Sequence, residues 1–180
     1  MTNINLPPLT HYITVNSNNG ISSLQKPADT PKVQRLGPNM QVAYLYSSPA
    51  SFNIQKDTDL TYHQAAPSTP PFRSFPPAGA TAAVIADIGP NPNDEPGSLH
   101  RTQTLDYVVI LEGEMELSLD GGEKVIVKRG EMVVQRAAMH AWRNISKTES
   151  ARMLAVAVGN EGAIEGAVEW GQGEKQLDKQ

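Results

Sequence analysis

The chain has 180 residues, a formal net charge of −4, 39% hydrophobic and 19% charged residues. That is the balance of a globular domain with a core of its own, not of a disordered chain. A mildly acidic chain without a Lys/Arg cluster has no electrostatic footprint for nucleic acid, and no apolar run is long enough to span a bilayer. There is no cysteine, so disulfide frameworks, thiolate nucleophiles and Cys-based metal sites are excluded. The start, MTNINLPPLT, has neither a basic stretch nor an apolar one. A secretory signal is therefore not expected, and a cytoplasmic location is.

All 14 prolines lie at or before Pro96. Proline is excluded from helix interiors and central strands, so residues 1–80 read as an irregular Pro-rich segment with arm and edge strands. Its best strand is Gln41 to Tyr46, placed as an arm over the later barrel or over a partner subunit. His11 and His63 fall among Pro, Ser and Asn and are expected at the surface.

Residues 81–160 read differently. After Thr81 to Ile88, short β-rich runs alternate with Gly turns: Tyr107–Leu111, Met115–Leu119, Val125–Val127, Met132–Val134, His140–Asn144 and Met153–Val158. Asp120-Gly121-Gly122 is a hairpin signal. Evenly spaced short strands predict an all-β sandwich or barrel. No helical period is evident. Met115, Met132 and Met153 read as barrel filling, and residues 161–180 as a polar tail.

The chemistry-bearing residues are few, because there are only four histidines. His100 and Thr102 share one strand face by the two-residue period, and Asp106 shares it if the segment stays extended or turns without a bulge. His140 opens a later strand. Two imidazoles and a carboxylate are the minimum facial set for a divalent metal with open positions, and a barrel interior brings inward residues of different strands together. From spacing alone, hydrogen-bonded structural histidines, with Asp106 as a turn cap, explain the pattern better than a metal site does.

A resemblance adds to this. Residues 96–113, PGSLHRTQTLDYVVILEG, are similar to the first motif of the cupin superfamily, and residues 130–144, GEMVVQRAAMHAWRN, to its second. The stretch QRAAMHAWRN is similar to that of a subgroup of small single-domain cupins with HRT…DY and VVQR…HAWRN motifs. The resemblance implies a cupin-type double-stranded β-helix, or jelly-roll, barrel with an irregular Pro-rich N-terminal extension. It implies His100, Asp106 and His140 as catalytic residues and as ligands of a divalent metal (Fe, Mn, Ni or Zn). Thr102 stands where most cupins carry a further histidine, and Ala137 where Gly is usual. With that ligand missing, a metal-free site using the same residues as acid–base groups is the alternative. Thr102, Gln135, Trp142 and Arg136 are the expected substrate-binding residues, Arg136 as a fork for a carboxylate.

The implied function is that of a small-molecule enzyme of specialised metabolism. Its chemistry would be of the non-redox lyase or isomerase type (decarboxylation, dehydration or cyclisation) on an aromatic or polyketide-like carboxylate or carbonyl compound. An Fe(II)-dependent dioxygenase and a non-catalytic binding cupin are the alternatives. The expected partners are the small molecule and a second copy in a homodimer, with neither nucleic acid nor membrane.

Overall fold

Inward and outward side chains alternate along nearly every strand of this chain, and the alternation sets which faces meet. The structure, a computed structural model, describes residues 4–26, 30–67 and 75–167. Thr14–Asn16 (β1) and Ser22–Leu24 (β2) form a separate two-stranded ribbon. Then follow Lys32–Arg35 (β3), Met40–Ser48 (β4), the helix Thr58–Gln64 (α1) and Thr81–Ile88 (β5). The remaining strands are His100–Arg101 (β6), Thr104–Glu112 (β7), Glu114–Leu119 (β8), Lys124–Lys128 (β9), Met132–Arg136 (β10), Met139–Asn144 (β11) and Ala151–Gly159 (β12). The polar tail expected over 161–180 lies outside the described residues from position 168 onward.

Two antiparallel sheets make the body. One has the order β10-β7-β12-β5-β4-β3 and the other β6-β11-β8-β9. Non-consecutive neighbours such as β12 between β5 and β7 are the crossovers of an all-β cupin barrel. Ile110 and Met115 are fully buried, and Val108, Leu117, Val127 and Ala151 pack with them. The β8–β9 hairpin turns where Asp120-Gly121-Gly122 predicts it, with Gly122 at φ 94°, a left-handed value that glycine adopts freely.

Several expectations need correction. The 41–46 segment is no arm: β4 is hydrogen-bonded to β5 on one side and β3 on the other. Its alternate residues Met40, Val42 and Tyr44 face the barrel interior. A helix, short but regular, does form: α1 packs on β4 and buries His63, whose ring lies 4.5 Å from that of Tyr46. His63 is thus a packed residue, and His11 is half-buried. Met132 does not fill the barrel; it is 58% exposed because its strand parity points it outward.

A buried ion pair joins β5 to β12 on the outer face of the larger sheet. Arg152 and Asp87 are register partners, and the guanidinium donates to both carboxylate oxygens, Nε to Oδ1 at 2.6 Å and an NH2 to Oδ2 at 2.8 Å. Gln41 on β4 donates to the same carboxylate at 3.0 Å. The Pro7 carbonyl accepts from Arg152 at 3.0 Å, so the N-terminal segment covers the pair.

The β10–β11 turn carries strain. Ala137 sits at φ 48°, a region that costs a residue with a Cβ about 1–2 kcal/mol. Ala137→Gly relieves that cost and adds about 0.5–1 kcal/mol of unfolded-chain entropy. A net gain of about 0.5–1 kcal/mol is expected, seen as a Tm higher by a few degrees in calorimetry. A lower Tm would show that the turn is not strained.

Candidate active site

The site is built where the two sheets face each other. β6 and β11 pair with His100 directly opposite His140. Cross-strand partners share a face, so the two rings meet, with centroids 4.4 Å apart at a 53° tilt. Each imidazole is held the same way. His100 Nδ1 donates to the Ser98 carbonyl at 3.0 Å, and His140 Nδ1 to the Ala138 carbonyl at 2.8 Å. A carbonyl only accepts, so both Nδ1 atoms carry the proton and both Nε2 atoms keep a lone pair when the rings are neutral. Burial, and then His100 beside it, pushes the His140 pKa down to about 4.

The opposite sheet supplies the acid. Asp106 on β7 and Gln135 on β10 are register partners. Asp106 Oδ2 accepts from Gln135 Nε2 at 3.1 Å and from Thr102 Oγ1 at 3.2 Å. Thr104 Oγ1 in turn donates to Thr102 Oγ1 at 2.9 Å. Trp142 Nε1 donates to Gln135 Oε1 at 3.3 Å, which fixes the amide with its NH2 toward the acid. Burial raises the Asp106 pKa despite the donors from Thr104, Thr102 and Gln135 and the nearby His100, all of which lower it.

These groups line one region of a cavity of about 330 Å³. Most of the rest of its wall is apolar and comes from β4, β5, β7 and β12, with Leu36, Phe75 and Ser98 from the connecting segments and the Tyr44 ring from β4. The loop before β6 closes against β11 only because residue 97 is glycine: a Cβ there would lie 2.3 Å from the Trp142 carbonyl oxygen.

The structure thus brings together His100, Thr102, Asp106, Gln135, His140 and Trp142. It leaves Arg136 out. β10 turns Gln135 inward and Arg136, its neighbour, outward to an exposed position away from the cavity. Thr102 and Gln135 line the cavity and also donate to Asp106. Sequence reasoning passed over Thr104, although the period that groups His100, Thr102 and Asp106 also includes it. It had no signal for Tyr44, a wall residue 56 positions before His100 in the chain. Arg143 is an ion-pair residue: its NH2 lies 2.8 Å from Glu116 Oε2, it also bonds Asp94, and it holds the Glu116 carboxyl down at about 2.

The metal implied by the resemblance can be tested on the donor set. Among the described residues no three His, Asp or Glu side chains converge as a metal-binding group. The two bare Nε2 atoms suit a metal mount, with Nδ1 bonded behind each ring. Asp106 does not converge with them as a third ligand; Thr102 and Gln135 hold its Oδ2. The residues fit a two-imidazole mount and not the three-ligand centre expected.

A buried acid that is costly to ionise predicts its own stability effect. The folded-state pKa of Asp106 lies above the unfolded one, so its contribution is favourable below about 3.8 and is lost as pH rises through the folded value. Asp106→Asn carries no such cost and keeps an oxygen to accept from Thr102 and Gln135. Its Tm at pH 8 is expected to exceed the wild-type value, with the gain vanishing toward pH 4. An equal loss of stability at both pH values would contradict this.

Comparison with known proteins agrees with the fold. The family model described as "Cupin domain" matches residues 84–157. Oryzines biosynthesis cluster protein J of Aspergillus oryzae is 36% identical over 171 residues, 92% of this chain and 91% of that protein. The barrel, its motifs and this end-to-end relative place the chain in the cupin superfamily. Phomopsin biosynthesis cluster protein C' of Diaporthe leptostromiformis is 39% identical over 58% of this chain and 52% of its own length. A cupin-domain-containing oxidoreductase of Neurospora crassa is 34% identical over 60% and 52%. The chain therefore spans nine-tenths of the first relative and about half of the other two. Among the described residues no helix is long and apolar enough to cross a membrane.

Proposed function

We propose that this chain is an enzyme of specialised metabolism that binds a small carbonyl or carboxylate compound in its barrel and moves protons on it. The observation that carries this is the cavity itself: a mostly apolar chamber with one polar region, where a base and an acid face the same space. His140, neutral because burial disfavours its cation, offers Nε2 as the proton acceptor. Asp106, kept protonated more readily by burial, offers the proton back. Opposite shifts of two neighbouring groups divide the acid and base roles. His100 buttresses His140, while Thr102 and Gln135 orient Asp106. Dehydration, isomerisation and cyclisation of a compound with an acidic α-position use both members of this pair, and decarboxylation uses the acid, which protonates the carbon that CO2 leaves. The relatives named for biosynthetic clusters support the metabolic setting.

A second reading is favoured by the paired bare imidazoles and by the oxidoreductase relative. His100 and His140 would hold a divalent ion (Fe, Mn, Ni or Zn), and such an ion supplies Lewis-acid or oxygen chemistry. The homodimer stays part of the proposal. Tyr107, Met132 and Val134 form an exposed apolar strip on the outer face, at 41%, 58% and 48% exposure.

The test is to incubate the full chain in D2O with alkyl and aryl ketones and β-keto acids. Mass spectrometry then follows deuterium uptake and loss of water or CO2, with metal analysis in parallel. Exchange that survives chelation supports the acid–base reading. Activity that disappears with a stoichiometric ion supports the second. Tight binding without turnover would leave a binding module and overturn both.

A further inference from the structure

Resting on the reading of the cavity as the substrate site, we infer that the substrate carries an uncharged polar head on an alkyl or aryl body, and that carboxylates are excluded. Three observations converge on this.

The first is the wall. Met40, Val42, Val84, Ile88, Val108 and Met153 present only hydrocarbon and thioether surface. They strip water from whatever enters and return no hydrogen bonds. At a water's share of about 30 Å³ each, the cavity holds the equivalent of roughly eleven waters. That is the scale of a short-chain or single-ring compound.

The second is charge. Among the described residues no Lys or Arg lines the cavity. The arginines of the two motifs and of β12 are committed elsewhere. Arg101 donates to the Glu165 carbonyl, Arg136 is exposed, Arg143 is paired with Glu116 and Asp94, and Arg152 with Asp87. A carboxylate entering the cavity would lose its hydration and meet no fixed cation.

The third is the polar region itself. It already holds one buried carboxyl, Asp106, and the donors that would satisfy a second one are in use. Thr102 and the Gln135 amide donate to Asp106, and the Trp142 indole donates to Gln135. Beside those bonds the polar region presents the Nε2 lone pairs of two imidazoles and the second carboxyl oxygen of Asp106. That set accepts a hydroxyl or enol proton and offers a second carboxylate no donor. Within the proposed function this keeps dehydration, isomerisation and cyclisation and removes decarboxylation.

The experiment is calorimetric titration of the full chain at pH 8 with 2-octanone, 1-octanol and octanoate, equal in carbon number and different in head group. The ketone or the alcohol is expected to bind at least tenfold more tightly than octanoate. Ala155→Phe, and independently Val84→Phe on the neighbouring strand, should abolish that binding while circular dichroism shows the barrel intact. Asp106→Asn should narrow the gap by improving octanoate. Octanoate binding as tightly as the ketone, and lost in the cavity-filled variants, overturns the inference and leaves the cavity as the site. If no probe binds in a cavity-dependent way, both this inference and the reading beneath it fall.

Discussion

Asp87→Ala is expected to remove about 3–5 kcal/mol of folding stability, the cost of stranding one member of a buried ion pair. The Arg152 guanidinium would stay inside, 7% exposed, without the carboxylate that takes its Nε and one NH2. The Gln41 amide would lose its acceptor as well. A loss of this size is a large part of the stability of an ordinary domain. Urea titration should show it as a lower midpoint at unchanged slope. The double change Asp87→Leu with Arg152→Met removes both charges and is expected to recover most of the loss. A single variant within about 0.5 kcal/mol of wild type would mean that the pair is hydrated.

The second large effect concerns His140. Its replacement by alanine removes the proposed base, and loss of a positioned general base costs about 10²–10⁴ in rate. Deuterium exchange into a ketone that the wild-type protein processes is therefore expected to fall by that factor. The β6–β11 pairing is a backbone feature and survives the change. The pH profile gives an independent check. His140 is neutral above about 4, so wild-type activity should persist well below pH 6.5 and fail only as the ring protonates. A rate that drops with an ordinary histidine midpoint would place the base elsewhere.

Much of the barrel was legible in the chain. The alternation in Met115–Leu119, the Asp120-Gly121-Gly122 turn and the regular Gly spacing after residue 97 are local features, and local features dictate strands and hairpins. The same period grouped His100, Thr102 and Asp106, which all line the cavity although the chain passes from one sheet to the other between them, and the cupin motifs picked out His140 from the four histidines. Ala137, noted as standing where glycine is usual, turned out to hold a left-handed backbone. The sequence also spoke plainly in what it lacks: without cysteine or a basic cluster, whole classes of chemistry never arise.

Tertiary structure decided the rest, because it depends on partners far apart along the chain. Gln135 and Trp142 were candidates for substrate. Only the pairing of β10 with β7, and the approach of β11 from the facing sheet, made them the supports of Asp106. Parity is the reason Arg136 left the site and Met132 left the core: one residue's step along a strand turns a side chain through the sheet. The Asp87–Arg152 pair spans 65 positions and has no local signature at all. Nor has the spread of acidity between His140 and Asp106. Those shifts come from burial, and burial is a property of the closed barrel, not of any segment that builds it.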